Sequence, residues 1–96
     1  MITPKQRATL RTIAQKQDAI IQVGKEGVTP AVANTVEQAL FARELVKISV
    51  LESCELETKE VANILSGRCR CDIVQVIGRK VVLYKKNTTD KRKGII

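Results

Sequence analysis

Two glycines and a lysine form the part of this sequence that is best suited to hold a ligand. The residues Gly24-Lys25-Glu26-Gly27 lie between an apolar, β-branched run at 19–23 and the pair Thr29-Pro30. The apolar run predicts a strand, and Thr followed by Pro is a common start of a helix. Two glycines in a tight loop let the backbone approach a ligand closely, beside the positive end of a helix dipole. We therefore expect this segment, the glycine loop, to contact an anion.

Enzymatic chemistry is poorly supported by the sequence. The chain has no histidine, and its hydroxyls and cysteines have no evident base partner. The glycine loop lacks the longer G-x-x-x-x-G-K-[ST] frame of a P-loop and the third glycine of a dinucleotide site. The three cysteines, Cys54, Cys69 and Cys71, are too few ligands for zinc and an odd number for a disulfide framework. We predict no catalytic residue, no metal, no cofactor and no small-molecule substrate.

The charge of the chain favours a polyanionic partner. The net charge is +7, and the basic residues are concentrated at the two ends of the sequence, in residues 1–27 and 79–96. Aromatic residues are scarce, at one Phe and one Tyr, so base stacking on a platform of rings is disfavoured. No apolar run is long enough to span a membrane, and no secretory segment follows the start. We expect a cytoplasmic protein with reduced thiols. It is expected to bind nucleic acid by contacts to the sugar-phosphate backbone rather than to the bases.

The element before the glycine loop is predicted to be a basic helix at the edge of the domain. Thr3, Pro4 and Gln6 form a helix start with a capping box. A narrow stripe of Leu10 and Ala14, with Ile13 beside them, faces the core. Because this helix leads into the first strand, its basic flank is expected near the glycine loop. The candidate binding residues of this helix are Lys5, Arg7 and Arg11, with Lys16 as a secondary candidate.

The elements after the glycine loop complete an α/β domain. A helix over residues 30–44 buries Val32, Val36, Ala39 and Leu40 and leads to a strand over 45–51, where Lys47 and Ser49 alternate with apolar residues. A third helix is predicted over 58–66, with Gly67 as its stop. A hairpin with Gly78 first in its turn joins strands over 73–77 and 81–84, and its tip adds the secondary candidates Arg79 and Lys80.

The predicted architecture is one compact domain, α-β-α-β-α-β-β, on a four-stranded mixed sheet. Strand, helix and strand in succession favour a parallel crossover, and the final hairpin is antiparallel. We place the domain at residues 1–86 and a basic, flexible tail at 87–96. Phe41 falls opposite the buried stripe of its helix. It either packs against another layer or contacts a partner.

Three segments resemble a known family in the same order along the chain. They are Val23-Gly24-Lys25-Glu26-Gly27-Val28-Thr29, then Ala39-Leu40 followed by Arg43-Glu44-Leu45-Val46-Lys47-Ile48, and finally Val74-Gln75-Val76-Ile77-Gly78-Arg79 ending in Leu83-Tyr84. Together they resemble the CRM domain (chloroplast RNA splicing and ribosome maturation). The single-domain layout is similar to its stand-alone bacterial members, the YhbY/YqeI type. The resemblance covers about residues 3–86.

The resemblance implies a fold similar to the C-terminal domain of translation initiation factor three. It also implies RNA binding through the glycine loop (Gly24, Lys25, Glu26 and Gly27), aided by the basic first helix. For the stand-alone bacterial members it implies a role in ribosome biogenesis, with ribosomal RNA in precursors of the large subunit as the partner. We expect a monomer. Glu26 departs from what a phosphate-binding loop favours, because it adds a negative charge.

Two other functions remain open from the sequence. The first is a general DNA-binding protein, although nothing in the chain indicates base reading or a dimer with half-site spacing. The second is a protein-interaction module, for which Phe41 and the acidic segment 52–57 are the motivation.

Overall fold

The computed structural model describes residues 2–86, and these form a four-stranded mixed sheet with three helices. The strands are β1 (Ile21–Val23), β2 (Leu45–Val50), β3 (Asp72–Ile77) and β4 (Lys80–Tyr84). Their order across the sheet is β1-β2-β4-β3. β1 pairs with β2 in parallel, and the other two pairings are antiparallel. The predicted fold class is confirmed, while the predicted tail at 87–96 lies outside the described residues.

The three helices begin largely as their local sequence predicts. α1 (Pro4–Gln15) starts at Thr3 with the complete capping box, and α2 (Pro30–Arg43) starts at Thr29, whose hydroxyl accepts a hydrogen bond from the Val32 amide. α3 spans Thr58–Cys69. In both capped helices Pro occupies the first turn, where its missing amide hydrogen leaves no helical bond unmade.

The end of α3 differs from the prediction. Gly67 does not stop the helix, which continues to Cys69 and ends at Arg70 in the left-handed region, at φ 53°. The added turn buries Cys69, which is 1% exposed and lies one turn beyond the buried Leu65. Tertiary burial therefore outweighs the local preference of glycine for a helix end.

The sheet separates two unequal clusters of buried side chains. On one side, α2 and α3 pack against apolar residues of β1, β2 and β4, among them Val23, Ile48 and Leu83. On the other side, α1 contributes Leu10 and Ala14 to a smaller cluster, joined there by residues of β2, β3 and β4: Leu45, Val74, Val82 and Tyr84. We call these the α2–α3 side and the α1 side.

The C-terminal end of α1 covers the position of Lys47 on the α1 side of the sheet. Lys47 points to this side as predicted, but its Nζ donates to the carbonyls of Ala14 at 3.4 Å and Gln17 at 3.3 Å. A lysine of the sheet thus caps the C-terminal carbonyls of α1, where a positive charge also complements the helix dipole. α1 therefore covers this part of the sheet, and Lys47 is only partly exposed.

A β-bulge in β3 adapts the sheet to α1. The pairing of β3 with β4 shifts register between Ile73 and Gln75, which leaves Val74 as the extra residue. Val74 is 3% exposed and belongs to the α1 cluster. The Ile73 carbonyl accepts a hydrogen bond from the Arg7 guanidinium at 3.0 Å. The bulge and this bond together seat the first half of α1 on β3.

Candidate nucleic-acid interface

The glycine loop is a closed β-turn at the carboxyl end of β1. The Gly27 amide donates to the Gly24 carbonyl at 2.9 Å, so Lys25 and Glu26 occupy the two corners, where both side chains are exposed. Gly27 has a φ of +69°, a backbone conformation that residues other than glycine rarely adopt. Within residues 2–86 the amides of Lys25 and Glu26 donate to no backbone carbonyl. They are therefore available to an external acceptor.

The two glycines of the loop have different roles in the fold. A Cβ on Gly24 would lie 3.5 Å from the Leu51 and Ser53 side chains, which is ordinary van der Waals contact, and Gly24 has no positive φ. A Cβ on Gly27 would meet Leu56 at 3.4 Å in a strained conformation. The fold therefore requires glycine at position 27 but not at position 24.

The start of α2 follows the loop directly. Thr29 accepts two bonds from the first turn, one from the Val32 amide to its hydroxyl at 3.1 Å and one from the Ala33 amide to its carbonyl at 3.0 Å. The dipole of a helix places a partial positive charge at its start, which favours anions. This terminus and the exposed Lys25 place two sources of positive potential at the same loop.

The hairpin tip lies at the same edge of the sheet as the glycine loop. The Val50 amide donates to the Arg79 carbonyl at 2.7 Å, and the Arg79 guanidinium donates to the Leu51 carbonyl at 3.2 Å. Leu51 is also the residue that flanks Gly24. Lys80 begins β4, and its Nζ donates to the Ser49 hydroxyl at 3.0 Å. The structure thus brings both secondary candidates of the hairpin to the glycine loop.

The basic residues of α1 are distributed differently from the expectation. Arg7 bonds to the carbonyl of Ile73, in the first half of β3, and β3 begins at the sheet edge opposite the glycine loop. The expected proximity of this basic flank to the loop is therefore wrong for the first half of α1, because the helix starts over β3 and runs toward β2. Lys5 and Arg11 are exposed on the same helix, and Lys16 is exposed at its C-cap. Their predicted role in binding stays a prediction.

Acidic side chains accompany the glycine loop. Besides Glu26, they follow β2 in the connection to α3 and in its first turn, at Glu52, Glu55, Glu57 and Glu60. A groove at this edge is lined by Glu55 and Glu57 on one side and by Gly78 and Arg79 on the other. α1, by contrast, carries no acidic residue. The loop edge is thus of mixed charge, whereas α1 is purely basic.

Cys69 and Cys71 lie away from the loop edge, whereas Cys54 lines the groove there beside Glu55 and Arg79. Burial raises the pKa of the Cys69 thiol, and burial followed by the neighbouring Cys69 and Asp72 raises the pKa of Cys71 to about 12. Cys54 and Cys69 are buried. Among residues 2–86 there is no group of three or more His, Cys, Asp or Glu side chains that could hold a metal ion.

Two further features of the described chain concern its helices. No helix within residues 2–86 has the length and apolar character needed to cross a membrane. Phe41 on α2 is 60% exposed, so of the two possibilities drawn from the sequence it does not pack into another layer. This leaves a large apolar side chain at the surface of the α2–α3 side.

Comparison with known proteins gives concordant results. Residues 2–85 match the family model of the CRS1 / YhbY (CRM) domain. The chain is 42% identical to "Probable RNA-binding protein YqeI" of Bacillus subtilis over 96% of both chains. It is 30% identical to "RNA-binding protein" of Haemophilus influenzae over 94% of this chain and 91% of the relative. A solution structure from Staphylococcus aureus, described as a hypothetical protein and candidate RNA binder, superposes with a TM-score of 0.80 at 36% identity, covering 96% and 95% of the two chains.

Proposed function

The chain belongs to the CRS1 / YhbY (CRM) domain family, and on that premise we propose that it is a non-enzymatic RNA-binding protein. Relatives over nearly the whole chain are named as RNA-binding proteins, which supports RNA as the ligand. The glycine loop is the proposed centre of contact. Its corner amides and Lys25 meet the phosphates of an RNA backbone, with the start of α2 behind them.

The observation that carries this assignment is that the fold does not require glycine at position 24. Nothing in its backbone conformation or its surroundings demands glycine, whereas Gly27 is needed for the turn. A glycine that the fold does not require, beside free amides and a helix start, is suited to the close approach of another molecule's backbone. We therefore propose that Gly24 allows the ligand to approach the backbone and that Gly27 allows the turn to form.

We propose ribosomal RNA in precursors of the large subunit as the cellular target, as the resemblance to stand-alone bacterial CRM proteins implies. The protein acts in the cytoplasm as a monomer, without a cofactor or small-molecule substrate. Lys5, Arg7 and Arg11 on α1 extend the contact away from the loop, as does Lys16. Arg79 and Lys80 extend it along the loop edge. Glu26 opposes binding, and the backbone amides offset it in the proposed arrangement.

The test of the loop assignment compares three glycine-to-alanine changes. Gly24→Ala is expected to leave thermal stability nearly unchanged and to weaken RNA binding roughly tenfold, which corresponds to about 1.4 kcal/mol. Gly27→Ala is expected to lower the free energy of unfolding by about 1 kcal/mol or more, since alanine is strained at positive φ. Gly67→Ala, within α3, is the control and is expected to leave RNA affinity unchanged. Full RNA affinity in Gly24→Ala would contradict the assignment.

The ribosomal part of the proposal has its own experiment. The protein in cell extract is expected to sediment with precursors of the large subunit on a gradient, and Gly24→Ala is expected to shift it toward the top. A protein that stays at the top of the gradient, or that prefers duplex DNA over folded RNA in competition, contradicts this target. Co-purification of one protein that survives nuclease treatment would instead favour the protein-interaction function.

A further inference from the structure

One row of the sheet on the α1 side is polar and lies beside the glycine loop. The pairing register aligns Gln22 with Ser49, Ser49 with Lys80, and Lys80 with Ile77 across all four strands. The neighbouring residues Ile21 and Val23 face the α2–α3 core, so Gln22 faces the α1 side. Gln22 stands two residues before Gly24, a separation of about 7 Å along a strand.

This polar row is not covered by α1. The helix contacts β2 and β3, and its C-terminal end is fixed at Lys47, two residues before Ser49. Gln22 and Lys80 are exposed, and Ile77 is 57% exposed. Within residues 2–86 no other helix lies on this side of the sheet. The row is therefore a part of the sheet surface, between the glycine loop and the end of α1, that no helix within the described residues covers.

Lys80 and Ser49 form an ordered pair within the row. The Lys80 ammonium donates to the Ser49 hydroxyl oxygen at 3.0 Å, which leaves the hydroxyl proton of Ser49 available to a different acceptor. Ser49 is only 9% exposed, so its hydroxyl position is set by the strand and by Lys80. A fixed hydroxyl beside a fixed ammonium matches the two polar features of a ribonucleotide backbone, its 2′-hydroxyl and its phosphate.

The charges around the row favour the same ligand. The row itself contains no carboxylate, and α1 beside it carries basic residues and no acidic ones. On this side of the sheet the acidic residue of β3 is Asp72, at the edge opposite the glycine loop. The acidic connection 51–57 leaves β2 for α3, which packs on the other side.

We propose that the row Gln22–Ser49–Lys80 is a second contact for one RNA strand, continuous with the glycine loop and selective for ribose. Lys80 holds a phosphate, while Ser49 and Gln22 hydrogen-bond the 2′-hydroxyl of the adjoining nucleotide. Exposed Ile77 lies at the far end of the row, where it covers the apolar face of a base. This inference rests on the proposed RNA-binding function and adds the means by which RNA is distinguished from DNA.

The test measures how far each variant prefers RNA over DNA. The full chain is titrated with a short single-stranded RNA of mixed sequence and with the DNA of the same sequence. Ser49→Ala is expected to reduce the preference for RNA about 3–10-fold, the range of one hydrogen bond, with DNA affinity unchanged. Ser49→Thr keeps the hydroxyl and is expected to restore the preference. Lys80→Gln is expected to weaken both ligands and to reduce the salt slope by about 1.

The controls are residues of the same types on α3, which packs on the opposite side of the sheet. Ser66→Ala and Lys59→Gln are expected to leave the preference and the salt slope unchanged. An unchanged preference in Ser49→Ala, or an equal change in Ser66→Ala, overturns the inference while RNA binding stands. Absence of RNA binding by the unmodified chain would overturn the proposed function together with it. Unfolding curves of each variant exclude loss of the fold as the cause.

Discussion

The α2–α3 side of the sheet and the α1 side differ in size, in charge and in how their helices are held. The first buries a large cluster with two helices, including Val36, Leu40 and Leu65 at 1% exposure or less. The second buries a small cluster under one helix. α1 is further fixed by two polar contacts, from Arg7 to the Ile73 carbonyl and from Lys47 to the carbonyls that end the helix.

Together with the proposed function, this difference predicts that stability and RNA binding depend on different sides of one sheet. A large apolar cluster supplies most of the hydrophobic stabilisation, since that stabilisation scales with buried apolar area. The α1 side buries less and leaves its row beside the glycine loop open, which permits a ligand to reach the backbone and polar side chains. Changes on the α2–α3 side are thus expected to affect unfolding, and changes on the α1 side to affect binding.

The largest expected effect compares a core leucine from each side. Leu65→Ala is expected to lower the free energy of unfolding by about 4–5 kcal/mol, and Leu10→Ala by about 3 kcal/mol, since a cavity under α1 can close more easily. Both residues are 0% exposed. Denaturant unfolding measures the two values. Equal losses, or a larger loss for Leu10→Ala, would show that the two clusters contribute alike.

A smaller effect is expected from the lysine that caps α1. Lys47→Met keeps an unbranched side chain that is one atom shorter and removes the donor to the Ala14 and Gln17 carbonyls. It is expected to cost about 1 kcal/mol of stability and to increase amide exchange in the last turn of α1. Lys59→Met on α3 is the control. If amide exchange in α1 does not change, the polar contact does not hold the helix.

The smallest expected effects concern binding, at the loop edge and on α1. Lys25→Ala is expected to reduce the dependence of RNA affinity on salt by about one unit, and the double change of Arg7 and Arg11 to alanine by roughly 1.5 units. Glu26→Gln is expected to raise RNA affinity by roughly threefold at low salt, because it removes a charge of the same sign as phosphate. The double change of Lys59 and Arg68 on α3 is the control. If the salt dependence of RNA affinity falls equally in that control, binding depends only on the net charge of the protein.

Local signals in the sequence predict the element starts and the loop. Thr3 and Thr29 are found as N-caps, the glycine loop as a turn, and the hairpin with Gly78 at its tip, at φ +56°. Each of these depends on residues within a few positions of one another. Because these signals are local, the elements could be predicted one at a time, and their order gave the correct fold class.

The features that could not be predicted depend on distant contacts. Gly67 is an interior residue of α3 because Cys69 reaches the core, and the first half of α1 lies away from the glycine loop because it seats on the bulge of β3. The alternation of β2 did place Lys47 and Ser49 on one side. It could not show that α1 covers Lys47 but not Ser49, since this depends on where the helix ends over the sheet.

The sheet also divides the charge of the domain, and this affects what a bound copy presents to its surroundings. α1 and its C-cap Lys16 carry four basic side chains and no acidic one, while residues 28–44 and 51–71 of the other side carry six acidic against four basic side chains. A copy that docks through its α1 side turns carboxylates outward. A second RNA strand is repelled by that outer surface, so the protein is expected to occupy its site singly rather than to cross-link or condense RNA, as a uniformly cationic protein does.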